Sequence, residues 1–138
     1  VTWTIFIPGR LVNPLNGAWG HWSTQAAYRT GWHRATAAVL SHAAGWTRHE
    51  AAVPKRVTLR CRMWNRMDSD GLQAACKPIR DALVTAGVVS GDAERDGHQW
   101  AYEQVVDRAC RGVRITVEWL TVEELEPPGG VGGAGSGL

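Results

Sequence analysis

Lysine is almost missing from this chain: Lys55 and Lys77 stand against thirteen arginines. Phenylalanine occurs once and tyrosine twice, while tryptophan occurs eight times. Acids are nearly absent from the first half, where residues 1–66 hold nine Lys/Arg and one carboxylate, Glu50, a balance of +8. Residues 67–138 hold six basic and twelve acidic residues, a balance of −6, and +8 − 6 gives the net charge of +2. Only three cysteines are present, Cys61, Cys76 and Cys110, with no CxxC spacing. That excludes a disulfide framework or a cysteine zinc site, and predicts reduced, mostly buried thiols. No apolar run is long enough to cross a bilayer, and Val1-Thr2-Trp3 does not open a signal peptide. A cytoplasmic protein without a membrane partner is expected. There are no internal repeats.

What remains is ordinary in bulk. At 138 residues, 44% hydrophobic and 20% charged, the chain is long enough to build one core without staples. The charge asymmetry is more informative. A basic surface attracts polyanions, and clustered acids beside it would repel them unless a cation intervenes. A metal-dependent nuclease needs that combination.

Thr2–Ile7 alternates β-branched and aromatic residues and stops at Pro8-Gly9, which predicts a strand. A loop from Arg10 to Trp22 follows, rich in Asn, Pro and Gly, with Trp19 and Trp22 offering aromatic faces. Ser23 or Thr24 is placed to cap a helix running to about Ala43, with Gly45 beyond it. Tyr28, Trp32, Ala35 and Val39 mark its buried stripe, and Arg29, His33 and Thr36 share another face suited to phosphates. Lys55–Trp64 alternates: Val57, Leu59, Cys61 and Met63 point one way, Thr58, Arg60, Arg62 and Trp64 the other. Arg60, Arg62 and then Arg66 lead to an acidic stretch, Asp68-Ser69-Asp70-Gly71.

Asp70 is expected to cap a second helix, about Gly71–Ala86, closed by Gly87. At 100° per residue Asp70, Lys77 and Asp81 fall on the face opposite Leu72, Ala75, Cys76, Ile79 and Leu83, with Pro78 as a kink. Asp92 lies past the helix end. His98–Asp107 and Gly112–Leu120 read as a β-hairpin turning near Arg108–Arg111. The order predicts an α+β single domain, β-α-β-α-β-β, with two helices on a small mixed sheet over residues 1–122. Residues 123–138 turn acidic and then Gly/Pro-rich, which reads as a flexible tail.

Hard cations such as Mg²⁺ take carboxylate oxygens, and Asp68, Asp70 and Asp92 are the candidates to converge on one ion. Asp-Ser-Asp-Gly is also a good loop and helix-cap sequence, so the pair alone does not decide between the two.

At these residues the chain resembles the RusA family of Holliday junction resolvases. The resemblance lies in Asp68-Ser69-Asp70-Gly71-Leu72, Lys77-Pro78-Ile79-Arg80-Asp81-Ala82-Leu83, Ala86-Gly87-Val88 and Gly91-Asp92. It is specific over residues 66–92 and fainter over the opening strand, the following loop and the closing strands. It implies a RusA-like fold and a homodimeric, Mg²⁺-dependent endonuclease, with Mn²⁺ as a substitute, that cuts four-way junctions and other branched DNA. By that resemblance Asp68, Asp70 and Asp92 are the metal ligands, Lys77 is the catalytic lysine and Asp81 supports them. Arg29, His33, Arg60, Arg62 and Arg66 would contact DNA phosphates. Gly71 stands where the family usually has Asn, and Gly91 where the first of two paired acids is common. A rival follows from Gly71: a branched-DNA-binding protein of the same fold with weak or no cleavage, in which Gly71→Asn raises activity.

Overall fold

The computed structural model describes residues 2–14, 22–43 and 50–125. The chain runs β1 (Thr2–Pro8), α1 (Trp22–His42), β2 (Lys55–Met63), α2 (Ser69–Ala75), α3 (Lys77–Thr85), β3 (Gln99–Val106), β4 (Gly112–Trp119) and α4 (Val122–Leu125). A 3-10 turn at Glu94–Asp96 precedes β3. This is the expected α+β class. The expected loop residues 15–21, Gly45 and the tail from residue 126 lie outside the described residues.

The four strands form one mixed sheet in the order β1-β4-β2-β3. Here the closing hairpin is corrected. β3 and β4 do not pair; β2 lies between them, parallel to β3 (Leu59 opposite Tyr102) and antiparallel to β4 (Leu59 opposite Ile115). A short turn fixes that two strands run in opposite directions, not that they are neighbours. β4 and β2 are the two interior strands, and their inward residues are all buried: Val113, Ile115 and Val117 on β4, and Val57, Leu59, Cys61 and Met63 on β2. The parallel β2–β3 pair needs a crossover connection, and α2 and α3 supply it.

The helices cover one face of the sheet. Leu72, Ala75, Cys76, Ile79 and Leu83 join Trp32 and Leu40 of α1 against the inward residues of β2 and β4. Fully burying one Ile or Leu of this set contributes about 1.5–3 kcal/mol. On α1 the buried line is Trp32, Thr36 and Leu40, with Tyr28, Ala35 and Val39 packed at its edge. Thr36 therefore leaves the expected phosphate face: it is buried, and its hydroxyl donates to the Trp32 carbonyl (2.7 Å). Ser23 and Thr24 sit inside the first turn of α1 rather than ahead of it.

The second helix is two helices. Pro78 cannot donate a backbone hydrogen bond, so the chain ends α2 at Ala75 and restarts at Lys77, with Pro78 in the first turn of α3, where a missing N–H is harmless. Gly87 closes α3 at φ +80°, a conformation that suits glycine. Its N–H donates to Val84 O and that of Val88 to Leu83 O (3.0 Å each). Of the two lysines, Lys55 is structural: its side chain is buried, donating to the carbonyls of Glu50 (2.6 Å) and Val53 (3.0 Å). Cys61 and Cys76 are buried with their Sγ atoms 3.7 Å apart, while Cys110 is exposed. No described helix is long and apolar enough to cross a membrane. Glu123 and Glu124, where the tail was expected to begin, lie in α4, and Arg56 holds Glu124 at 2.8 Å.

Candidate metal and nucleic-acid site

The segment between β2 and α2 is clamped before it reaches the acids. The Gln104 side-chain amide on β3 both accepts from the Met67 N–H (2.8 Å) and donates to the Met67 carbonyl (2.9 Å). Asp68 follows directly. It, and not Asp70, caps α2: its Oδ1 accepts the Gly71 N–H at 2.7 Å from an extended backbone. The cap occupies one oxygen of Asp68. Asp70 lies exposed in the first turn of α2, its carboxylate making no hydrogen bond or ion pair among the described residues.

Lys77 opens α3 and pairs with Asp81 one turn on (3.0 Å) and with Asp92 (2.6 Å). Arg80 also reaches Asp92 through Nε (3.3 Å) and spends its other donors on Tyr102 Oη (2.6 Å) and the Gln73 carbonyl at the end of α2 (2.8 Å). Arg80 thus ties α2, α3, β3 and the Asp92 turn together. The hydrogen bond from Lys77, then that from Arg80, holds the Asp92 carboxyl below the usual carboxylate range. The same bond with Asp92 raises the Lys77 ammonium above its ordinary value. Lys77 is therefore a fixed cation near neutral pH, able to stabilise negative charge and unable to serve as a base.

Lys77 and Asp81 share a face as expected, but Asp70 does not join them. Seven residues of helix span about 10 Å along the axis, and the restart after Cys76 interrupts the path. Among the described residues no three His, Cys, Asp or Glu side chains form a group that could hold a metal ion. Lys77 joins Asp81 and Asp92 into one cluster, while Asp68 is engaged in capping α2.

Both glycines that depart from the resembled pattern are filled by other side chains. A Cβ on Gly71 would collide with the Asn13 side-chain amide and lie 2.6 Å from Asp68 Oδ1. Asn13 is brought there by its neighbour Val12, whose N–H donates to Tyr28 Oη (3.2 Å), while that hydroxyl donates to the Ala75 carbonyl (3.0 Å). A Cβ on Gly91 would collide with the Asp96 carboxylate, which accepts the Ala93 N–H (3.1 Å).

Beside Asp68 opens a cleft of about 600 Å³ between the chain after β1 and the segment after β2. Arg10, Arg62, Arg66 and Arg111 line it, together with Asn13 and Trp64. Of the expected DNA contacts, Arg66 is exposed in this cleft, and Arg62 lines it while paired to Asp107 (3.2 Å). Arg60 lies on the same outward face of β2 as Arg62 but outside the cleft lining, and pairs with Glu103 on β3 (3.6 Å). Arg29 is exposed on α1 and shares a small pocket with Lys77 and Arg80, and His33 is half-buried on the same helix. Arg10, Asn13, Arg80, Tyr102, Gln104 and Arg111 were not read as site residues. Arg80 had a visible signal, one turn from Lys77 on an amphipathic helix; the others meet the site only through the fold.

No family model matches the chain, and no curated protein matches it at a significant level.

Proposed function

We propose that the chain is a metal-dependent endonuclease of the RusA type acting as a homodimer on branched DNA. The observation that carries this reading is Lys77, held as a cation by Asp92 and Asp81 on the helix pair whose first turn presents the unpartnered Asp70. The donors fit a hard cation at Asp68 and Asp70, which offer carboxylate oxygens at an exposed helix start. Asp92 has one oxygen, Oδ1, outside its contacts with Lys77 and Arg80. Bound Mg²⁺ supplies Lewis-acid activation of water and neutralises phosphoryl charge. Within the chain, Lys77 stabilises the charge that develops on the phosphate, and Asp92 and Asp81 position the ammonium. Arg80 keeps Asp92 in place from behind, and Arg66 with its neighbours draws the backbone into the cleft. A four-way junction has two-fold symmetry, so a dimer would set one site on each of two strands.

The rival has its own observation: the three carboxylates do not gather, and Lys77 occupies Asp92. A junction-binding protein without cleavage would look the same. Labelled four-way junctions incubated with and without Mg²⁺ separate the two, with Asp70→Asn as the control because Asp68 also caps a helix. Mg²⁺-dependent cutting lost in Asp70→Asn supports the enzyme. Equal binding with no cutting by either protein refutes it.

A further inference from the structure

The cleft contains something that phosphate binding alone does not need. Trp64 directly follows β2 and leaves 48% of its surface exposed, the most exposed of the large apolar residues described. It does not fold back on the core. Instead Arg108 and Arg111, from the turn between β3 and β4, stand 4.8 and 5.7 Å from the centre of its ring. The turn is itself fixed, since Asp107 Oδ1 accepts the N–H groups of Ala109 and Cys110 (3.0 Å each). Among the described residues no carboxylate pairs with Arg10, Arg66, Arg108 or Arg111. A rigid indole is thus held in the open among four uncompensated guanidiniums, at the mouth of a cleft that ends on Asp68.

We propose that this cleft takes an unpaired nucleotide of a DNA single strand, its base stacked on Trp64 and its flanking phosphates on Arg10, Arg66 and Arg111. A base in a duplex has both faces covered by its neighbours, so an aromatic platform selects nucleotides outside the stack. In the free protein the guanidiniums cover the indole by cation–π contact. An entering base takes that place, and the displaced guanidinium turns to a phosphate, where bidentate hydrogen bonding is available. The inference deepens the proposed function by naming the part of a branched substrate that the cleft holds; it rests on the nucleic-acid side of that reading and not on cleavage.

The test uses the full chain without divalent metal and two labelled probes of equal length and charge, an oligothymidylate and an abasic deoxyribose-phosphate strand. Wild type should prefer the oligothymidylate. Trp64→Ala should weaken that probe by about tenfold or more and leave the abasic strand unchanged. Trp64→Phe should keep most of the preference, and Trp64→Leu, which retains apolar bulk for folding but has no aromatic face, should lose it. Arg66→Gln and Arg111→Gln should weaken both probes alike and each reduce the salt slope by about one. Unchanged oligothymidylate binding in both Trp64→Ala and Trp64→Leu, or equal losses on both probes, overturns the proposal. Tighter binding of oligouridylate than of oligothymidylate overturns the assignment to DNA. Junction cutting in Mg²⁺ is scored separately. Its absence with the base preference intact counts against the endonuclease alone; cutting with no base preference counts against the stacking site alone.

Discussion

Replacing Gly71 by Asn probes the tightest joint of the site. Gly71 is buried in the first turn of α2, and a Cβ there meets the Asn13 amide and stands 2.6 Å from both Asn13 Cγ and Asp68 Oδ1. Contacts that close force the ends of the Asn13 and Asp68 side chains to move, and the cost lies in the hydrogen bonds they give up. The atom pushed on one side is the oxygen that caps α2, and a lost cap alone is worth about 1 kcal/mol. Replacing helical glycine returns roughly 0.3 kcal/mol. The net expectation is a loss of about 0.5–1 kcal/mol, or a fall in Tm of roughly 2–4 °C at about 4 °C per kcal/mol for a chain of this size. Thermal unfolding followed by circular dichroism measures it. In an Asn13→Ala background the collision with the amide disappears while that with Asp68 Oδ1 remains, so the same Gly71→Asn change should cost less there, and the double-mutant cycle reads the difference as the coupling to Asn13. An unchanged or raised Tm for Gly71→Asn, or an equal penalty in both backgrounds, refutes the packing argument. The same crowding works against the expected rise in activity, because the Asn13 amide already lies where the new side chain would begin.

Lys77→Met should abolish junction cutting, a loss on the order of 10²–10³ in rate, while junction affinity stays within a few-fold and stability changes by under about 1 kcal/mol, because the side chain is half exposed. Retention of charge in Lys77→Arg should restore part of the activity, and wild-type cutting by Lys77→Met would remove Lys77 from the mechanism. Acid should destabilise the fold in two stages. Burial, with the nearby Lys55 charge, lowers the His98 pKa below 6.5, so the unfolded chain takes up that proton first and stability declines as pH falls through about 6.5. Asp92, also lowered, contributes stability that is full above its ordinary value of 3.8 and is lost as pH falls through its folded value. Lys77, raised above 10.5, acts in the opposite direction, and its contribution is lost as pH rises through its folded value. Tm measured against pH should show the first decline in wild type and not in His98→Gln; a flat wild-type profile between about pH 7 and 5 would contradict the burial argument.

Much of the fold was legible because periodicity reports which side of an element is buried. The alternation over β2 predicted its inward and outward residues correctly, and the apolar face of Leu72, Ala75, Cys76, Ile79 and Leu83 is the face that packs. What periodicity does not carry is adjacency. The run around the Arg108–Arg111 turn looks like a hairpin from either side, and nothing local records that β2 has inserted between β3 and β4. Pro78 was visible as a disturbance, but its strength was not: it ends one helix and begins another, which separates Asp70 from the Lys77 cluster.

The site was legible residue by residue and illegible as an arrangement, and the two glycines show why. Read along the chain, Gly71 and Gly91 look like missing groups, an amide and an acid lost from a pattern. In the fold each glycine is a space that another side chain enters, the amide of Asn13 and the carboxylate of Asp96. Asn13 reaches Gly71 across 58 positions of sequence (71 − 13) because Tyr28 ties Val12 to Ala75. Asp96 reaches Gly91 because the turn before β3 folds it back onto the Ala93 N–H. A side chain at either position would have to displace one of those side chains first. The reading of Gly71 as a loss leaves out the Asn13 amide that fills the place of its side chain. What still favours the rival is Lys77 on Asp92, a contact that a phosphate competing for the ammonium would change.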